Sequence, residues 1–261
     1  MWYFSPYHSY FTLVSLITEI VNNMHTRLNE FQQPIGYALA DWTPAKQPSK
    51  RCLSGRLCRL ERLDVATHAD NLYQAFAESP DARHWTYLPY GPFETADEYR
   101  AFLTGMAELN DPFHYAVVEP STGKAIGTIS LMRIDVANGV IEVGHVVYSP
   151  QMQRTPLSTE VMALLQQYVF EELGYRRLEW KCDALNGPSR AAAERFGFTF
   201  EGIFRQLQVT QGRNRDTAWY SMLDHEYAQL KSAYQTWLST DNFDGAGQQI
   251  NKLADLINQG R

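Results

Sequence analysis

Residues 186–198, Asn-Gly-Pro-Ser-Arg-Ala-Ala-Ala-Glu-Arg-Phe-Gly-Phe, followed by Glu201-Gly202, decide how the rest of the chain is read. The stretch reads as a short helix from Asn186 to Phe196 stopped by Gly197, because glycine alone enters the left-handed turn that ends a helix at little cost. A β-rich run precedes it, Arg177 to Ala184, and two follow, Thr199 to Val209 and Asp216 to Leu223. One step further upstream, Ser158 to Leu173 has helical spacing and is closed by Gly174. This half of the chain is therefore a strand-helix alternation.

The preceding half has a different texture. Phe113 to Glu119, the turn Pro120-Ser121-Thr122-Gly123, Ala125 to Ile134, Asn138-Gly139 and Val140 to Tyr148 form a succession of strands, and an Asn-Gly pair between two β-rich runs is a strong hairpin signal. A first strand is expected at Leu53 to Leu63. Helices follow at His68 to Glu78 and at Thr95 to Leu109, the second opened by Thr95 and Glu98 at capping-box spacing. Between the helices lies an aromatic loop, Trp85-Thr86-Tyr87-Leu88-Pro89-Tyr90-Gly91-Pro92. Antiparallel strands followed by a strand-helix unit predict an α+β fold with a mixed, mostly antiparallel central sheet flanked by helices.

Three segments are expected: an N-terminal extension and lead-in over 1–50, the sheet domain over 51–225, and a helical tail over 226–261, with helical patterns at Tyr227 to Leu238 and Gly247 to Ile257. His25 to Arg51 carries Pro34, Pro44 and Pro48 and no repeating apolar face, so it reads as an extended lead-in wrapping the surface. Phe11 to Val21 is too short to span a membrane, contains Glu19 and has no Lys or Arg before it, which disfavours both a membrane span and a secretion signal. Its apolar spacing fits an amphipathic helix; the preferred reading is that translation starts at Met24 and residues 1–23 lie upstream of it.

Composition narrows function. With 23 Lys and Arg against 29 Asp and Glu, the 261 residues carry a net charge of −6, without the basic footprint that grips nucleic acid. Cys52, Cys58 and Cys182 make no Cys-x-x-Cys pair and no metal-ligand spacing, so no metal is expected and the chain reads as cytoplasmic. Cys182 lies in an apolar run and reads as a core thiol, leaving no activated nucleophile for a covalent intermediate.

The Asn-x-x-Ser helix leading to Gly197-Phe198 and Glu201-Gly202, together with Ile141-Glu142-Val143-Gly144-His145-Val146-Val147-Tyr148-Ser149-Pro150, resembles the GNAT superfamily of acetyl-CoA-dependent N-acetyltransferases, RimJ/RimL type, over about Leu53 to His225. The resemblance implies a GNAT-like acyl-CoA N-acyltransferase fold with acetyl-CoA as cofactor. It implies that the pantetheine pairs with the fourth strand at Val146, Val147 and Tyr148, that Val146 N–H serves the oxyanion, that Ser189 protonates the leaving thiolate, and that Asn186 orients the pantetheine. The expected partners are an amine-bearing acceptor, a protein N-terminus or a small molecule, with a homodimer as an allowed arrangement.

One departure stands out. Where the family has Arg/Gln-x-x-Gly-x-Gly/Ala, this chain has Gln153-Arg154-Thr155-Pro156-Leu157-Ser158 before Thr159. Pro156 cannot donate a hydrogen bond, but proline preorganises a first helical turn, and a helix N-terminus attracts an anion through its unpaired N–H groups. Arg154 adds a cation, and Ser158 and Thr159 add hydroxyls. This reads as an altered but working anion cradle; the alternative is a non-catalytic binding or regulatory module with a degenerate pyrophosphate loop. For the base that deprotonates the amine, Glu142 ranks first, His145 second and Asp216 in reserve. Gln208 stands where some RimL-like enzymes carry an acid. Strand alternation sets Glu142 and His145 on opposite faces unless a bulge intervenes. Trp85, Tyr87 and Tyr90 are candidate walls for the amine.

Overall fold

The computed structural model describes residues 26–259, so the readings made for residues 1–23 lie outside it. The chain divides into two compact units between Thr43 and Pro44. In the first, β1 (Thr26–Leu28) and β2 (Pro34–Gly36) pair as an antiparallel hairpin. The lead-in thus contains a short hairpin that its prolines concealed.

The second unit is built on an eight-stranded sheet of β3 (Cys52–Ser54), β4 (Arg59–Arg62), β5 (Phe113–Val118), β6 (Ala125–Asp135), β7 (Val140–Tyr148), β8 (Arg177–Asp183), β9 (Thr199–Thr210) and β10 (Arg213–Leu223), in the order β3-β4-β5-β6-β7-β8-β10-β9. Every neighbouring pair is antiparallel except β7 with β8. Helices α1 (Val65–Ala77) and α2 (Ala96–Glu108) cover one face through Leu72, Phe76, Tyr99 and Leu103. On the other, α3 (Pro156–Gln167), α4 (Gly187–Arg195), α5 (Asp224–Leu238) and α6 (Leu253–Gln259) form the larger core with Val161, Leu165, Ala193, Leu230 and Ile257.

Local signals largely translate into structure. Thr95 and Glu98 close the expected capping box on α2. Gly197 ends α4 at φ +88°, where a β-carbon would also strike Leu230, so both backbone and packing demand glycine. Four expectations need correction. The strand expected over Leu53 to Leu63 is two short strands, because the Glu160 carboxylate reaches across from α3 and accepts from the N–H groups of Arg56 (3.0 Å), Leu57 (2.6 Å) and Cys58 (2.8 Å), holding a turn there. β10 begins at Arg213 and not Asp216, its charged start masking strand that pairs with Thr210 and Val209. The helix expected from Gly247 begins only at Leu253, since the Asp244 carboxylate accepts from Ala246 and Gln248 N–H and fixes a turn. The helix expected to start at Ser158 starts at Pro156 and passes into a wider π turn over Tyr168–Glu172.

Glu160 is buried, and Gly55 passes so close that a β-carbon there would overlap its carboxylate. Removing the carboxylate strands three backbone donors. Glu160→Ala should therefore lower unfolding free energy by about 3–5 kcal/mol, read from the denaturant midpoint; a loss under about 1 kcal/mol would show that the turn holds itself.

Candidate active site

Parallel pairing of β7 with β8 runs from Val140–Arg177 to Val143–Trp180 and then stops. Beyond it the strands diverge, and β7 from Gly144 to Tyr148 shows a backbone edge that β8 does not satisfy. The splay opens a cleft of about 490 Å3. A wider hollow of about 620 Å3 lies near Arg62 and Phe113, but its Arg62 guanidinium already donates to the carbonyls of Ala107 and Leu109 at the end of α2 and to His114 O, and stacks on Phe113. That hollow is a structural seam.

A bulge decides which side chains enter the cleft. Ser130 faces Gly144 and Thr128 faces Val147, so Ile129 alone opposes both His145 and Val146, and His145 takes φ +48°. The extra residue reverses the alternation. Val143 packs in the core under α3 to α6, whereas Val147, an even distance away, packs in the core under α1 and α2. His145 thereby joins Glu142 on the α1-α2 face, resolving the alternation in favour of both residues lining one cleft.

Their environments differ. Glu142 is buried between Lys181 Nζ (2.9 Å) and Arg133 Nε (3.0 Å), and Lys181 also pairs with Glu179 (2.7 Å) beneath the Trp219 ring. Burial raises the Glu142 pKa, and the two cations pull against that rise. Both cations meet the same oxygen, Oε2, and burial outweighs them, so the carboxyl binds a proton more readily than an ordinary carboxylate while staying tied into the ion pairs. His145 stacks on Tyr90, with 3.0 Å between Nδ1 and the Tyr90 hydroxyl, and its ring centre lies 5.1 Å from that of His114. Burial, followed by the Arg133 charge, depresses the His145 pKa, and burial pushes that of His114 down to about 3. Both imidazoles are neutral at neutral pH, and His145 borders the cleft as a free base.

The opposite face carries the other candidates. Ser189 Oγ accepts from Trp180 Nε1 at 3.0 Å, an indole nitrogen that only donates, and its hydroxyl also lies within hydrogen-bonding reach of the Cys182 thiol. Asn186 caps α4, its Oδ1 accepting from Ser189 N–H, which leaves its amide NH2 as the outward donor. Cys182 is buried and its pKa raised by burial, in agreement with a thiol that stays protonated.

At the turn into α3, Arg154 adopts the left-handed conformation that glycine takes at least cost, φ +61°. Pro156 is the first helical residue, and Thr155 at the N-cap makes no capping bond because its hydroxyl donates to Met152 O. Ser158 likewise donates to Thr155 O, Thr159 Oγ1 is buried and accepts from Arg195, and Leu157 is buried. The hydroxyls of Ser158 and Thr159 are therefore already engaged, and the Leu157 side chain is buried. Gln153 donates to Tyr148 O and is exposed, as is Arg154.

Other residues fall outside the cleft. Asp216 is half-buried outside the cleft, its carboxylate accepting from Gln206 N–H and Asn214 Nδ2. Trp85 is an anchor of the aromatic core, whereas Tyr87, whose hydroxyl donates to Leu185 O, and Gln208 do border the cleft. Sequence reading passed over His114, Lys181 and the row Arg215, Thr217, Trp219. The row is a plain i, i+2, i+4 alternation, hidden because β10 was expected to begin after Arg215.

Lys181 separates two buried acids. In Lys181→Met, Glu142 loses its first-named cation, so its folded pKa, already raised, rises further; such a group favours folding while protonated and loses that contribution as pH rises through the folded pKa. The variant's stability deficit should be about 3–5 kcal/mol near pH 8 and should shrink toward pH 4, measured by urea unfolding. A deficit that does not vary with pH would assign it to lost packing.

An acetyltransferase (GNAT) domain model matches residues 58–199, more than half of the chain. The crystal structure of a GCN5-related N-acetyltransferase from Brucella melitensis is 48% identical, with a TM-score of 0.83 over 84% of this chain and 100% of that one. An uncharacterized N-acetyltransferase, p20, of Bacillus licheniformis is 25% identical over 61% of this chain and 89% of its own. Microcin C7 self immunity acetyltransferase MccE, solved with acetyl-CoA and AMP, shares the fold at 21% identity and a TM-score of 0.57, over 65% of this chain and 93% of that one. With its splayed β7 and β8 and this breadth of likeness, the chain belongs to the GNAT family of N-acetyltransferases.

Proposed function

We propose that this protein transfers acetyl from acetyl-CoA to a primary amine, by direct attack in a ternary complex, and that it works in the cytoplasm. The observation that carries the proposal is the bulge at His145, which puts a neutral imidazole on one face of the splay while the unsatisfied edge of β7 and the N-terminus of α3 remain open. The RimJ/RimL likeness is part of this reading and rests on the Asn186-x-x-Ser189 helix and Gly197-Phe198.

The residues fit such a cofactor. The β8 side of β7 along Val146, Val147 and Tyr148, where Gln153 Nε2 already takes the Tyr148 carbonyl, suits the amides of a pantetheine arm, as in strand addition. The turn of Gln153, Arg154 and Thr155, with the backbone of Leu157, Ser158 and Thr159, offers outward N–H groups, a helix dipole and a guanidinium to a diphosphate. Asn186 would orient the arm through its free amide. When bound, acetyl-CoA supplies an activated thioester carbonyl.

In this reading the chain's own groups divide the work. His145 takes the proton of the incoming amine, which carries one at neutral pH. Val146 N–H donates to the reacting carbonyl oxygen, and Ser189, its oxygen already engaged by Trp180, donates to the departing sulfur. Glu142, ranked first on sequence grounds, holds Lys181 and Arg133 in place.

Thiol release from acetyl-CoA with a panel of amines tests the activity, and its absence with every amine would refute it. The acid limb of kcat/KM should lie below about 6.5, the ordinary imidazole value. His145→Gln should lower kcat/KM by about 10²–10⁴ at neutral pH and abolish that limb, whereas Glu142→Gln should retain it; loss of the limb in the Glu142 variant would return the base to Glu142. Removing one charge-assisted contact should weaken CoA binding about tenfold in both Arg154→Ala and Arg154→Gly by calorimetry. Undiminished affinity in Arg154→Gly would show that the left-handed turn, and not the guanidinium, holds the diphosphate.

A further inference from the structure

The cleft wall that no role above absorbs is β10. In the antiparallel register, Thr217 faces Asp183 and Trp219 faces Lys181, so Arg215, Thr217 and Trp219 share the α1-α2 face with Lys181 and Glu142. This face is opposite to that of Trp180 and Ser189, where the thioester is proposed to lie. The row is roofed by the aromatic loop, since Gln211 Nε2 donates to Leu88 O at 3.0 Å and Arg213 Nη2 to Thr86 O at 2.6 Å.

The polar atoms of the row are buried without partners. Arg215 Nε, Thr217 Oγ1 and Trp219 Nε1 meet no hydrogen-bond partner, and neither does His84 Nε2 across the cleft. Thr217 is 1% exposed. Such orphaned groups are uncommon in native interiors and call for a ligand or ordered solvent.

Charge sharpens the reading. Lys181 and Arg133 are matched by Glu142 and Glu179. Asp183 accepts from Leu185 N–H and makes no ion pair with Arg215. Among the described residues, Arg215 is the cleft's one cation that no acid or carbonyl meets. A lone guanidinium beside a hydroxyl matches a planar monoanion whose two oxygens take its fork, whereas a phosphate group ordinarily draws several cations or a helix N-terminus.

Building on the acetyltransfer reading, we propose that Arg215, with Thr217 beside it, binds a carboxylate carried by the acceptor amine, so that the substrates are amines of the amino-acid class. The net charge of −6 would suggest a cationic acceptor. The local field in the cleft is set by Arg215 instead, because solvent screens charges beyond about 10 Å.

The test titrates CoA-saturated protein, and protein without CoA, with N-acetylglycine and N-acetylleucine against their primary amides and against N-acetyl-O-phosphoethanolamine. The acids should bind at least tenfold more tightly than the amides. Arg215→Gln should erase that preference, Arg215→Lys should keep part of it, and Thr217→Val should reduce it, each variant checked for an unchanged fold by its melting temperature. Equal binding of acid and amide by the wild type, no measurable binding of any probe, or a preference that survives in Arg215→Gln would overturn the assignment. Tighter binding of the phosphate ester would replace the carboxylate by a phosphate. Thiol release is scored separately, so acetyl transfer to amines lacking a carboxylate would refute this substrate class while upholding the activity.

Discussion

The site depends on a limit to strand pairing. β7 and β8 hold together for four register pairs, Val140 to Val143 against Arg177 to Trp180, and then separate. Every backbone group that loses its partner there must find another or remain in contact with solvent, because a buried unpaired amide is costly. The edge from Gly144 to Tyr148 is thus left without β8 as a partner, and Gln153 Nε2 takes the Tyr148 carbonyl at its end. The bulge at His145 follows from the same geometry, since inserting one residue bends β7 away from its neighbour and turns an imidazole into the gap.

The floor of the splay is ionic. Glu142, Lys181 and Glu179 are buried together, with Arg133 above, and Arg177 joins Glu179 to Glu201. Such clusters add little net stability, but removing one member leaves an uncompensated charge. Their effect here is positional. They tie β7, β8 and β10 together at the end of the paired stretch, just before β7 and β8 part, and they occupy every cation of the cleft but Arg215.

The proposed anion site at the turn into α3 lacks its customary residues. A left-handed φ in arginine costs about 1 kcal/mol or more relative to glycine. The surrounding turn compensates through Met152 and Gln153 N–H, both donating to Ser149 O, and through Pro156, whose fixed φ starts the helix without leaving an unmet donor. What glycine contributes through permissiveness, this turn achieves through constraint, with a positive charge added.

Much was legible in the linear chain, because it is local. The alternation of β5 to β8, the Asn138-Gly139 hairpin, the Thr95 capping box, the α4 stop at Gly197 and the helix-to-Gly-Phe pattern each depend on residues a few positions apart. That was enough to determine the α+β sheet, the family and the general location of the cleft. Where signals were long-range the reading failed or stayed open. Glu160 organises a turn about a hundred residues away, two cations clamp Glu142 from β6 and β8, and a one-residue bulge moves His145 across the sheet. Side-chain identity along a strand says which faces alternate; only the paired neighbour says where alternation slips, and only packing says which charge is left without a partner. Tertiary structure therefore decided the surroundings of Glu142, His145 and Arg215, because each is set by groups distant in sequence and adjacent in space.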